Sequence, residues 1–209
     1  GQMLVLGVNE PTVTANSPIV KEIQRYHLGG VVLYNQLKRQ NGKKIKIYRT
    51  PTQLKQTTTA LQHANTTPLF ISIDQEGGLV DRLPQKMGFT ATRSPAKLGE
   101  QNNLSITRAY ANSMANTLST YGINVDFFPT VDLNSNPDNP IIGKLGRSFG
   151  ANPKTVVKQA NVFINALHNK NVFCTLKHFP GHGSSKGDTH KGFVDVTDTW
   201  DKSELIPYR

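Results

Sequence analysis

Lys177, His178, His182, Asp188 and His190 fall within fourteen residues, separated mostly by glycines, a proline and small polar residues. The apolar run Val172-Phe173-Cys174-Thr175-Leu176 precedes them and reads as a buried parallel strand, since strands covered on both faces are near-continuously apolar. Pro180, Gly181 and Gly183 forbid a regular continuation, so the titratable groups sit where a strand gives way to a loop. Side chains at such a junction are held at one end and free to meet a ligand at the other.

Three chemistries compete for this segment. A polar loop gathers histidines without purpose. A metal site is suggested by the i, i+4 spacing of His178 and His182, but Pro180-Gly181 breaks the helix that spacing requires, and lone Cys174 lies in the strand. Acid–base chemistry by His190 is the third, with Asp188 two residues away fixing its tautomer and stabilising its protonated form. No metal and no other cofactor is expected.

The elements that must position these groups alternate apolar strands with amphipathic helices. Strands are expected at Met3–Val8, Gly30–Leu33, Leu69–Asp74, Ile123–Phe128 and Val172–Leu176, with a weaker one at Phe193–Val196. Helices are expected at Pro18–Tyr26, at Pro51–His63 and at Ser105–Tyr121, the last carrying Ile106, Tyr110, Met114 and Tyr121. Asn152-Pro153 caps another, whose Val156, Ala160, Phe163, Ile164 and Leu167 form one apolar stripe. Glu204–Arg209 reads as the start of a further helix. Strand–helix alternation argues one α/β unit with a parallel sheet. Asp74 ends the third strand, Asp126 and Asp132 bracket the end of the fourth, and Lys177-His178 end the fifth. Functional groups at successive carboxyl ends are the habit of a (β/α)8 TIM barrel. Such barrels take about 250 residues, so five or six strands in 209 residues make an incomplete one.

Composition constrains the function classes less. The sequence holds 24 Lys and Arg against 14 Asp and Glu, a formal charge of +10. Much of the excess falls in Lys38-Arg39, Lys43-Lys44, Lys46 and Arg49. Such a cluster could draw nucleic acid or an anionic surface. No aromatic interleaves with it before Tyr48, and Asn41-Gly42 marks a turn, so it reads as a solvated loop rather than a nucleic-acid site. No run approaches the roughly eighteen apolar residues of a membrane span. One cysteine excludes an internal disulfide. Compartment and oligomeric state stay open.

Lys177-His-Phe-Pro-Gly-His-Gly183 with Asp188-Thr-His190 resembles the signature of family 3 glycoside hydrolases, in particular their β-N-acetylhexosaminidase branch. Gly1–Gly7, Gly29–Tyr34, Leu69–Gly78, Gly122–Asn134 and Gly146–Gly150 resemble further motifs of that family, in its order, across essentially the whole chain. The resemblance implies the barrel fold and the N-terminal catalytic domain over residues 1–209, ending before the strand that bears the nucleophilic Asp. It implies that Asp74, Arg82, Arg147, Lys177 and His178 hold the sugar, and that His190, supported by Asp188, is the general acid/base. After Asp-Gln-Glu-Gly-Gly the family commonly has Arg where this chain has Leu79, while Arg82 stays in register. The Gly183–Gly187 stretch is expected to let the dyad swing in once sugar is bound.

The activity so implied is retaining hydrolysis of terminal, non-reducing β-N-acetylglucosamine from peptidoglycan- or chitin-derived glycans, with a carbohydrate substrate as partner and no nucleic acid. A sugar-binding pseudoenzyme, a β-glucosidase specificity and a basic surface-binding protein are the alternatives.

Overall fold

The computed structural model describes residues 1–38 and 44–209. In chain order the elements are β1 (Val5–Gly7), α1 (Pro18–Tyr26), β2 (Gly30–Leu33), β3 (Gln36–Lys38), β4 (Lys44–Lys46), α2 (Pro51–His63) and β5 (Phe70–Ile73). Then follow α3 (Pro95–Gln101), α4 (Leu104–Thr120), β6 (Val125–Asp126), α5 (Pro153–His168) and β7 (Phe173–Cys174), with 3₁₀ turns at Gln85–Met87, Thr189–Lys191 and Lys202–Tyr208.

Helix starts are written in the sequence. Pro opens α1, α2, α3 and α5, where its missing N–H costs nothing. Thr50, Ser94, Asn103 and Asn152 cap α2 to α5, each side chain accepting from a backbone N–H of the first turn. The buried face of α4 differs from the expected stripe. It runs through Thr107, Ala111, Met114, Ala115 and Leu118, with Ile106 and Tyr110 at its flanks. Small residues at the centre let α4 approach α5 closely, and Thr107 Oγ1 donates to Gln159 Oε1 at 2.6 Å between them.

Five strands form one parallel sheet in the order β1-β2-β5-β6-β7. Val31, Leu33, Ile71 and Ile73 point to the helices and are fully buried. The other face stays open at one end: Val5, 48% exposed, and Phe70, 50%, share one row of the register, and Phe173, 62% exposed, lies one row further along on the same face. Phe70 and Phe173 meet edge-to-face there, their rings 6.0 Å apart. Behind the sheet Phe128, Phe149 and Phe163 pack together, with Phe128 and Phe163 edge-to-face at 4.9 Å.

Three expectations need correction. Phe193–Val196 is not a strand. Asp195 Oδ1 accepts from Thr197 N and Oγ1, and Val196 O accepts from Thr199 and Trp200, so the backbone turns instead of pairing. The basic stretch read as a loop contributes two antiparallel strands, with Gln36–Lys38 paired to Lys44–Lys46. Its alternating polar and apolar residues carry a period of two that the lysines masked. Arg39, Asn41, Gly42 and Lys43 lie outside the described residues. The expected final helix is the 3₁₀ turn Lys202–Tyr208.

Candidate active site

The cleft forms at the carboxyl ends of β5, β6 and β7, and an isolated parallel bridge between Thr130 and Lys177 prolongs the last pairing. Val131 N donates to Lys177 O at 2.8 Å, which carries Lys177 and His178 up to the rim. The cleft has a volume of about 550 Å³. Asp74, Arg82, Arg147, Lys177, His178 and His190 all line it, together with Glu76 and His182. The Lys177–His178 peptide is cis.

Glu76 is the hub of the charges. Its Oε2 accepts from Arg147 Nε at 2.7 Å and its Oε1 from Arg147 Nη2 at 2.8 Å, a bidentate pair. Lys177 Nζ donates to the same Oε1 at 2.6 Å and to Asp74 Oδ1 at 2.8 Å. Burial pushes the Glu76 carboxyl up, but the Arg147 hydrogen bond and the charges of Lys177 and Arg147 outweigh it and hold it below the usual range. Burial pulls the Arg147 guanidinium down, and the bonds and charge of Glu76 outweigh that, raising it. A planar guanidinium with its face fixed in this way is a rigid wall rather than a free donor.

Arg147 is delivered by a turn around Asn139, fully buried, whose Oδ1 accepts from Ile141 N and Ile142 N. Arg147 Nη1 then donates to Ile141 O at 3.0 Å, and Nη2 lies 3.0 Å from His178 Nε2. The other His178 nitrogen, Nδ1, is 2.6 Å from Asp132 Oδ2. With Nδ1–H donating to Asp132 and Nε2 accepting from Arg147, both ring nitrogens are committed and the tautomer is set. Asp132 Oδ1 also accepts from His178 N at 3.1 Å and His182 N at 2.8 Å, so one buried carboxylate registers both histidines.

Arg82 contrasts with these. It follows the loop held by Gln75, whose Oε1 accepts from Arg82 N and Leu83 N and whose N donates to Asp126 Oδ1 at 2.9 Å. Among the described residues Arg82 has no carboxylate partner, and its Nε is buried without a hydrogen bond. The strand-end salt bridge between Asp74 and Arg82 that would compete with a ligand role is not formed; Asp74 pairs with Lys177. Burial pushes the Asp126 carboxyl well above the usual range, and the Gln75 N–H offsets only part of that. Leu79 is 73% exposed.

His190 lies on the loop after β7. Its Nδ1 is 2.7 Å from Asp188 Oδ1, which also accepts His190 N at 3.0 Å, and the ring is 76% exposed. The hydrogen bonds from His190, backbone first and side chain second, hold the Asp188 carboxyl below the usual range. The Gly183–Gly187 stretch is not a free swinging arm. Gly183, Ser184 and Ser185 are buried, and the exposed part of the loop starts at Lys186.

Sequence reasoning placed Asp132 at a strand end and His182 in the polar segment without giving either a role, and it missed Glu76 and Asn139. Glu76 carried no signal beyond the motif that holds it, and Asn139 carried none. Cys174 Sγ pairs with His168 Nε2 at 3.4 Å, outside the cleft lining. Among the described residues no group of three or more His, Cys, Asp or Glu is placed to hold a metal ion, and no helix is long and apolar enough to cross a membrane.

Comparison with known proteins places this geometry. The model of the glycosyl hydrolase family 3 N-terminal domain matches residues 1–209. A β-hexosaminidase A of Pseudoalteromonas piscicida is 38% identical over 197 residues, covering 89% of this chain. The chain spans 31% of that relative's length. The solved family 3 β-N-acetylglucosaminidase of a Paenibacillus species superposes with a TM-score of 0.85 at 30% identity, over 100% of this chain and 38% of that one. NagZ of Neisseria gonorrhoeae, in complex with N-trifluoroacetyl-D-glucosamine, gives 0.83 at 25% identity, over 98% and 58%. The parallel sheet is thus part of a TIM-barrel-type fold, and the chain belongs to glycosyl hydrolase family 3.

Proposed function

We propose that the protein bearing this chain removes terminal β-N-acetylglucosamine from peptidoglycan- or chitin-derived glycans with retention of configuration. The observation that carries the reading is a single cleft lined by Arg82, which has no carboxylate partner among the described residues, by Asp74 and Lys177, and by His190 with Asp188 2.7 Å behind it. Asp74 Oδ2 and the third Lys177 hydrogen, uncommitted among the described residues, accept from and donate to sugar hydroxyls. Arg82 supplies charge-assisted donors. Arg147 and His178 have spent all but one of their N–H groups, a single Nη1 hydrogen of Arg147, on Glu76, Ile141, Asp132 and each other, so they act chiefly as a fixed wall against the ring. His190 gives its proton to the departing oxygen and later takes one from water, as a retaining mechanism requires. Asp188 holds the imidazole by Nδ1 and balances the imidazolium. Asp74 and Glu76 are both bound to Lys177, and the nucleophile is assigned, on the family resemblance alone, to an Asp outside residues 1–209.

His190→Ala in the complete protein tests this. Turnover of natural disaccharides should fall far more than that of aryl glycosides with good leaving groups, which need little protonation. Added azide should restore part of the aryl-glycoside rate. Equal losses on both substrates without azide rescue would reduce His190 to a binding residue.

A further inference from the structure

Glu204 is 1% exposed and sits on the 3₁₀ turn that follows the His190 loop in sequence. Its Oε2 accepts from Gly183 N at 3.1 Å and its Oε1 from Ser184 N at 3.0 Å. Among the described residues no Lys, Arg or His forms a salt bridge with it. Burying a carboxylate without a cation is expensive, so the two successive amides are what keep it there.

The chain around it is shaped to that contact. Gly181 has φ +118°, and a Cβ there would fall 2.4 Å from Glu204 Oε2. A Cβ on Gly183 would fall 1.5 Å from Leu133 O on the opposite side. The glycines of Pro180-Gly-His-Gly183 thus let the backbone slip between Leu133 and Glu204. Beyond Ser185 the chain leaves the interior, and Thr189 and His190 are exposed. From this outer part of the loop two side-chain ties reach back among the described residues, Thr189 Oγ1 to His182 Nε2 at 3.2 Å and Trp200 Nε1 donating to Pro180 O at 3.1 Å, both onto the root itself. The direction in which the loop leaves is therefore set at its buried root.

We propose that Glu204 is a positioning residue: its carboxylate clamps Gly183 and Ser184 so that the loop presents His190 to the cleft. The consequence for turnover rests on the acid/base reading of His190 given above; the clamp itself does not.

The test is Glu204→Gln in the complete protein, with hydrogen exchange and kinetics measured on the same preparation. Gln keeps the volume but turns an NH₂ toward one of the two N–H donors. Amide exchange across residues 181–192 should quicken by about tenfold or more, the loss of a charge-assisted bond. kcat on a disaccharide should fall by a similar factor, with a smaller fall on an activated aryl glycoside and little change in KM. Glu204→Asp keeps the charge with a shorter reach and should give intermediate values on both readouts; it also serves if the Gln variant is insoluble. Unchanged exchange in the loop overturns the clamp. Quickened exchange with equal losses on both substrates overturns its link to protonation. If the unmodified protein hydrolyses neither substrate, the hydrolase reading fails, and exchange alone then sustains or overturns the clamp.

Discussion

At the scale of single residues, the cleft divides its polar groups into those already spent and those still available. Arg147 and His178 use their donors and acceptors on Glu76, Ile141, Asp132 and each other. Asp74 keeps an oxygen and Arg82 keeps its guanidinium free of any carboxylate among the described residues. Asp74→Ala in the complete protein should therefore weaken N-acetylglucosamine binding by tenfold or more, given about 1.5–3 kcal/mol for a hydrogen bond to a charged group. Calorimetric titration with the free sugar measures this, and unchanged affinity would return Asp74 to a purely structural pair with Lys177. The sequence made the chemistry-bearing types visible because they cluster in loops that cannot be regular. It did not reveal which of them neutralise one another. Lys177, Glu76 and Arg147 lie in three separate motifs, and only the folded strand ends bring them within 3 Å.

Elements were legible to the extent that their signals are local. Pro18–Tyr26 and Pro51–His63 are helices with the bounds expected, because Pro at the first position and the apolar period act within a few residues. The strand pair Gln36–Lys38 and Lys44–Lys46 and the turn at Asp195 escaped, since lysines and short polar side chains obscure a period of two. The strand ends also carry the charge cluster that answers to pH. Glu76 has a folded pKa below its unfolded value near 4.3. Its contribution is therefore complete above that unfolded value and is lost as pH falls through the lower folded one. Glu76→Gln, which leaves Arg147 and Lys177 without their buried counter-charge, should cost about 3–5 kcal/mol at pH 7. The drop in thermal midpoint that this cost produces should shrink progressively below pH 4. A difference that stayed constant down to pH 3 would show that Glu76 acts through packing rather than charge.

At the scale of the whole molecule, 209 residues assemble every group assigned to the sugar and to its protonation, and leave one face of the sheet open at Val5, Phe70 and Phe173. With the nucleophile assigned outside these residues, the isolated chain should show negligible release of nitrophenol from a p-nitrophenyl β-N-acetylglucosaminide, and should self-associate with rising concentration through its open edges. Robust turnover by this chain would place the nucleophile among its own carboxylates. The sheet order also has a kinetic meaning. Within these residues each strand of β1-β2-β5-β6-β7 after the first pairs with the strand of that sheet made just before it, so none of these four pairings has to wait for a later segment. Emerging from a ribosome at roughly 5–20 residues per second, the chain can dock each strand onto a finished edge within seconds of its synthesis. The charges of the cleft would then close in order, with Asp74 and Glu76 held unpaired until Arg147 and finally Lys177 arrive to neutralise them.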